Sequence, residues 1–370
     1  MKISQLTSNI KSAFLNGTID EDIFVGQPEG YIESGMEDKV CKLVKALYGL
    51  KQAPRASYER MDTYLQGLGF NRSNNKHTLY VKSSDKGIQL IISLYVDGML
   101  ITSPSGKVVD ECKAKMQTEF EMSDLGKMSY FLGMIVDQGL DYTLLRQKKY
   151  AYDLLNKCRM ESCKSVATPS AFGTKLCRDN GSAKINETYY RRLIRSLLYL
   201  SSTRPDIMYF TSLVSRFMHR PSKIHLCAAK RVLRYVKGTV SFGLKFYKNG
   251  KQKLLSYCDS DWGGSLEDLK STGGYCFSFG SVVFAWNSKK QDIVAQSCAE
   301  AEYVATASAA NRAIWLRKIL QDLKFSCEEP TTLCIDNKFA ISIAKNPVDH
   351  GRTKHIRIKF HALREVVKKR

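Results

Sequence analysis

The sequence predicts a mixed α/β chain of more than one domain: an α+β first part, a helical middle and an α/β last part. Length is the first ground, since 370 residues exceed the roughly 100–200 of a common domain. Composition is the second: 44% hydrophobic residues can fill more than one core. The third is patterning, because short branched and aromatic runs give way to segments of helical period and then return.

Over 1–165, the run 88–96 (Ile-Gln-Leu-Ile-Ile-Ser-Leu-Tyr-Val) is strand material. The stretches 57–68 and 108–120 have helical spacing, with Tyr58, Met61, Tyr64 and Leu65 on one face. Helices mixed with strands predict α+β layers. Within 166–250, the stretch 167–186 carries Pro, Gly, Ser and Asn without a period and reads as a connector. From 189 to 237 the pattern is helical, broken at Arg204-Pro205 and Arg220-Pro221, because a residue before proline resists the α conformation. Over 251–370 the order is strand, a hairpin about Gly280, a long helix over 299–323, a strand at 332–336, a helix over 337–344 and a basic helix over 353–369.

Charge points to partners. The formal net charge is +21, which suits a polyanion. Between Arg220 and Lys253 there are ten Lys/Arg and no Asp or Glu, which suits backbone phosphates as readily as a solvated face. No apolar stretch reaches the roughly 18 residues of a membrane span, and the N-terminus lacks a signal-peptide core. The expected partners are therefore RNA and DNA rather than a membrane, in an intracellular compartment, cytoplasmic or nuclear. Oligomeric state is not legible. The eleven cysteines form no C-x-x-C pair and read as free thiols.

Two constellations carry chemistry. Tyr95-Val96-Asp97-Gly98 lies between two apolar runs, so a hairpin with Asp97 at its tip is expected. Taken alone, it is an ordinary Asp-Gly turn. Its neighbours are Lys11-Ser12-Ala13-Phe14-Leu15-Asn16-Gly17, Gln27-Pro28-Glu29-Gly30-Tyr31, the run Ala46-Leu47-Tyr48-Gly49-Leu50-Lys51-Gln52-Ala53-Pro54-Arg55, and Tyr130-Phe131-Leu132-Gly133. In the last part stand Tyr257-Cys258-Asp259-Ser260-Asp261-Trp262, Ala299-Glu300-Ala301-Glu302-Tyr303, Cys334-Ile335-Asp336-Asn337 and Lys354-His355-Ile356-Arg357-Ile358. In isolation, Asp259 and Asp336 read as turn-forming acids at strand ends.

In this order the motifs closely resemble the reverse transcriptase and RNase H region of copia-type LTR retrotransposon Pol polyproteins, across essentially the whole chain. The resemblance implies an α+β palm-type polymerase domain with a helical thumb/connection, followed by an α/β RNase H-like domain. It assigns 1–165 to the palm and the start of the thumb, with the upstream fingers truncated, 166–250 to a linker and basic helical connection, and 251–370 to RNase H. It implies magnesium, with manganese as the other candidate, held by clustered aspartates because hard cations take oxygen ligands. Expected substrates are RNA, DNA and the RNA–DNA hybrid.

The palm departs from the family twice. Asn9 stands where the resemblance implies the first aspartate, and Gly98 where it implies the second of the turn, leaving Asp97 alone. Polymerase activity is expected to be weak or absent. Phe14 aligns with the aromatic gate against a ribose 2′-hydroxyl, Gly49, Lys51 and Gln52 with the nucleotide-supporting loop, and Phe131-Leu132-Gly133-Met134 with the primer-gripping hairpin. In the RNase H part Asp259, Glu302 and Asp336 match three acids and His355 a proton-transfer residue, while Arg357 replaces the fourth acid. Residual hydrolysis of hybrids is the expectation. The alternative is a non-catalytic nucleic-acid-binding remnant of a decayed element.

Overall fold

The computed structural model describes residues 4–85, 87–248, 253–325 and 328–345. The chain divides into two compact units, Met1–Met128 with Arg317–Cys327, and Ser129–Leu316 with Glu328–Arg370. Both mix helices and strands, as the patterning predicts.

In the first unit β1 (Ser4–Ile10) leads into a short 3-10 turn, Ala13–Asn16. A small hairpin of β2 (Phe24–Gly26) and β3 (Val40–Lys42) follows, then α1 (Ala53–Gly67). The strands β4 (Asn71–Arg72), β5 (Leu79–Ser84), β6 (Gly87–Tyr95) and β7 (Gly98–Ser103) precede α2 (Gly106–Glu119) and β8 (Met122–Lys127). They form a six-stranded sheet in the order β4-β5-β6-β7-β1-β8. Burial alternates along β7, the signature of a sheet with one covered face. Met99 and Ile101 from β7, Tyr80 from β5 and Ile92 from β6 pack there with Met61 and Leu65 of α1 and Val109 and Met116 of α2. The helix α1 begins four residues before the apolar period does, because Pro54 sits in its first turn, where no N–H is needed.

In the second unit β9 (Tyr130–Phe131), β10 (Met134–Gln138), β11 (Tyr142–Arg146) and, after the helices, β12 (Leu244–Tyr247) make an antiparallel sheet in the order β12-β11-β10-β9. The helices α3 (Lys148–Lys157), α4 (Glu187–Leu200), α5 (Met208–Ser215) and α6 (Lys223–Gly238) share a core that includes Leu155, Tyr190, Leu197, Val214 and Leu233. The breaks between α4 and α5 and between α5 and α6 fall at the two X-Pro steps.

The stretch that joins α3 to the connector is stapled to α6. Arg231 donates to Thr168 Oγ1 (3.0 Å), Arg234 to Lys164 O (2.8 Å) and Lys237 to Cys163 O (2.7 Å). Three cations of the one-sided run are therefore engaged with residues 163–168, of which Thr168 belongs to the connector. At the start of α6, buried His225 accepts the Ser222 N–H at Nδ1 (3.0 Å), sits 3.0 Å from Cys177 O through Nε2, and stacks on Phe217.

The last sheet has the order β15-β14-β13-β16, from β13 (Leu254–Ser260), β14 (Thr272–Phe279), β15 (Val282–Lys290) and β16 (Thr332–Cys334). Only β13 and β16 run parallel in it. Between β15 and β16 runs α7 (Cys298–Asp322), rich in alanine and buried on more than one side, and α8 (Lys338–Lys345) follows β16. The basic helix expected over 353–369 lies outside the described residues.

Candidate active sites

The hairpin between β6 and β7 is a two-residue loop of Val96 and Asp97, closed by the pair Tyr95↔Gly98. Val96 takes φ 56°, a left-handed conformation costly for a β-branched residue. Gly98 stands in β7 and is not a turn residue. In register Asn9 of β1 pairs with Gly98, and the Ile10 N–H donates to Asp97 O (2.9 Å). The two positions that lack an acid are thus cross-strand neighbours beside the exposed Asp97.

Phe14 lies in the 3-10 turn that follows β1, half-buried, its ring 5.0 Å from that of Tyr48. That turn is pinned to α1: Ser57 Oγ donates to Ala13 O (2.7 Å) and Arg60 Nη1 to Asn16 O (2.7 Å). Gly17 is needed there, because a Cβ would come within 2.6 Å of the Ala56 backbone. Gly49 has φ 98°, in the left-handed region that favours glycine, with Lys51 exposed and Gln52 at the N-cap of α1.

In the second unit the parallel register sets the geometry. Tyr257 of β13 pairs with Cys334 of β16, so Asp259 and Asp336, each two residues further on, are level at the same edge. The helix α7 lies over this end: Cys258 Sγ is 3.6 Å from Thr306 Oγ1, and Glu302 is one turn before Thr306. Asp259, Glu302 and Asp336 consequently bring one carboxylate oxygen each within 4.8 Å of one another. The aspartates are exposed and Glu302 is buried. Glu302 Oε1 accepts the Ser260 N–H (3.1 Å), while Oε2 is buried without a hydrogen-bond partner. Burial pushes the Glu302 carboxyl up to about 7, with the neighbouring Asp259 and Asp336 adding to this against the Ser260 N–H.

The other acids nearby do different work. Asp261 Oδ1 accepts the N–H groups of Thr272 (2.8 Å) and Gly264 (3.3 Å), closing the loop after β13. Glu300 Oε2 accepts the Gln296 N–H (2.7 Å) ahead of α7, on another side of the helix from Glu302. Sequence reasoning missed Gln291, which is buried and donates to Ser260 Oγ (3.0 Å) and Ala301 O (2.9 Å), tying β13 to α7 beside the acids. No motif flags it, because an isolated Gln acquires this role only through contacts distant in sequence. His355 and Arg357 lie outside the described residues.

Comparison with known proteins places the chain in a family. Residues 3–171 match the family described as "Reverse transcriptase (RNA-dependent DNA polymerase)". The Pol polyprotein of transposon RE1 of Arabidopsis thaliana is 38% identical over 97% of this chain and 24% of its own length. That of transposon TNT 1-94 of Nicotiana tabacum is 37% identical over 99% of the chain and 28% of its own length. The chain thus spans about a quarter of the length of these Pol polyproteins. The putative transposon Ty5-1 protein of Saccharomyces cerevisiae is 36% identical over 80% of the chain and 97% of its own length. Among the described residues no helix is long and apolar enough to cross a membrane. The chain belongs to the copia-type retrotransposon Pol family and carries its reverse-transcriptase region.

Proposed function

We propose that this chain cleaves the RNA strand of RNA–DNA hybrids at Asp259, Glu302 and Asp336, and does not add nucleotides at the Asp97 turn. On this reading 1–165 is a palm with the start of a thumb, 166–250 a linker and helical connection, and 251–370 an RNase H-like domain. The observation that carries the proposal is the convergence of three carboxylates within 4.8 Å.

That donor set suits magnesium or manganese: the ligands are hard oxygens, and Glu302 Oε2 is a buried acceptor with nothing to accept. When bound, such cations supply Lewis-acid activation of a phosphodiester and of a water nucleophile. The protein's own part is positional. The Ser260 N–H orients Glu302, and the Gln291 amide ties Ser260 to α7. The exposed Asp259 and Asp336 present their oxygens at the open edge of the sheet. Without a cation, burial and the two neighbouring aspartates disfavour a charged Glu302, a cost that cation binding relieves. The Asp97 turn offers one exposed carboxylate beside a neutral Asn9 and a side-chain-free Gly98, too little to offset two dications.

The test is cleavage of a labelled RNA–DNA hybrid by the purified chain with magnesium or manganese, beside Asp336→Asn. Magnesium- or manganese-dependent cutting lost in the variant supports the proposal. Absence of cutting by the unaltered chain, or equal cutting by both, overturns it.

A further inference from the structure

We propose that the cavity between α5 and one face of the β13-β14-β15 strands binds a small aromatic amine, with its ammonium on Asp259, its ring against Tyr209 and Trp286, and a polar group at its far end on Ser288. The site shares Asp259 with the acid cluster, but it stands whether or not those acids cut hybrids, and its occupancy is read without cleavage.

The register builds the floor. Directly paired residues of neighbouring strands point to the same side of a sheet. Asp259 pairs with Gly274 and Gly274 with Ser288, so the three form one row across β13, β14 and β15. Glycine leaves the centre of that row without a side chain. Tyr257, Cys276 and Trp286 form the next row. The helix α5 packs on this side, where Ser212 Oγ donates to Ser288 O (2.8 Å). Trp286 is fixed by its indole N–H, which donates to Ser201 O (3.2 Å) just after α4. Helix and sheet leave a cavity of about 680 Å³ between them, lined also by Met208 and Tyr209. That volume suits a small organic ligand.

An unspent group marks the far end. Ser288 is only 9% exposed, and its Oγ has no hydrogen-bond partner. A buried hydroxyl left in this way costs free energy that a polar group on a ligand would recover. At the near end Asp259 is exposed. Two strand spacings, roughly 10 Å, separate these positions along the row. A hydroxyphenyl ring with a short amine arm spans that gap once the two side chains reach inward.

Charge selects the occupant. In a chain of net charge +21, no Lys, Arg or His lines this cavity among the described residues, whereas Asp206, Asp259 and Asp261 do. Asp206 is taken by Arg204 at 2.7 Å, and Asp261 Oδ1 by the Thr272 N–H at 2.8 Å. Asp259 is left to meet a cation. A phosphate-bearing ligand would face these carboxylates with no cation in the lining to offset them. An ammonium gains the carboxylate, and the ring that carries it gains the faces or edges of Tyr209 and Trp286.

The experiment is calorimetric titration of the full chain, in EDTA, with tyramine. Binding is expected with a dissociation constant on the order of 100 μM. Phenethylamine, which lacks the hydroxyl, should bind about threefold to tenfold more weakly. Hydroxyphenylpropionate, which carries a carboxylate in place of the ammonium, should not bind. Asp259→Asn and Tyr209→Ala should each weaken tyramine on the order of tenfold. Ser288→Ala should abolish the difference between tyramine and phenethylamine. No binding of tyramine, equal binding of the propionate, or unchanged affinity in Asp259→Asn overturns the proposal, as does a difference between the two amines that persists in Ser288→Ala. Photolabelling of the unaltered chain by an aryl-azide analogue of tyramine is independent of variant folding. Label in the 205–209 or 272–288 peptides supports the proposal, and label confined to other segments overturns it.

Discussion

The Asp97 turn and the Asp259–Glu302–Asp336 cluster are two carboxylate sites of one chain, and they differ in what holds them. The turn is a local structure: a two-residue hairpin whose register places Asn9, Gly98 and Asp97 side by side. That geometry survives although two of its positions carry no acid, because the hairpin is supported by the covered face of the sheet, with Met99 and Ile101 beneath it. The cluster is non-local, and there the acids remain. Its three carboxylates each bring an oxygen within 4.8 Å of the others, and burial, with the two aspartates adding to it, pushes the Glu302 carboxyl up to about 7. Strand pairing and core packing do not depend on which side chain lies on the open face, so the same hairpin forms with or without acids at positions 9 and 98.

The sharpest test of this contrast is removal of one acid from each site. Asp336→Asn should lower hybrid cleavage by more than the roughly 10–100-fold typical of losing a residue that only supports a ligand. Asp97→Asn should leave cleavage unchanged; a comparable loss in both would break the distinction. Next comes the reverse change. The unaltered chain should show no primer extension on an RNA template with magnesium, and Asn9→Asp combined with Gly98→Asp should raise manganese affinity at the turn about tenfold or more, read by electron paramagnetic resonance of free manganese. Extension by the unaltered chain would contradict the loss at the turn.

A smaller effect lies in the pH dependence of stability without metal. Glu302 has a folded value raised to about 7 from 4.5, so its contribution is fully present below about 4.5 and is lost as pH rises through about 7. Urea melts at pH 5 and pH 8 should differ less for Glu302→Gln than for the unaltered chain; identical differences would remove Glu302 as the cause. His225 works in the opposite sense. Burial lowers it from 6.5, so its contribution is present above about 6.5 and is lost as pH falls through the folded value, when protonated Nδ1 can no longer accept the Ser222 N–H. The smallest expected effect is at the turn itself. Val96→Gly should stabilise the first unit by about 0.5–1 kcal/mol, the left-handed strain relieved less the entropy cost of glycine. Destabilisation would mean that the Val96 side chain makes contacts that outweigh its backbone strain.

Much of this was legible in the residues. Apolar, branched and aromatic runs announced β6 and β7, and the X-Pro steps announced the breaks among α4, α5 and α6, because both signals act over a few residues. The order of motifs announced the family. Other roles were hidden. Nothing local distinguishes Asp261, which caps a loop, from Asp259, which joins the cluster, since the difference lies in the Thr272 and Gly264 N–H groups that Asp261 meets. Nor could charge alone show that Arg231, Arg234 and Lys237 hold the 163–168 stretch.

The sequence by itself determined the family and the places of the acids along the chain: Asp97 beside Asn9 and Gly98, and Asp259, Glu302 and Asp336 in family order. Only the tertiary structure decided that those acids converge. Asp259 and Glu302 are distant along the chain, as are Glu302 and Asp336. They meet because a parallel pairing of β13 with β16 levels two strand ends and α7 packs across them. Such pairing is set by burial of side chains far apart in sequence, which no local pattern encodes.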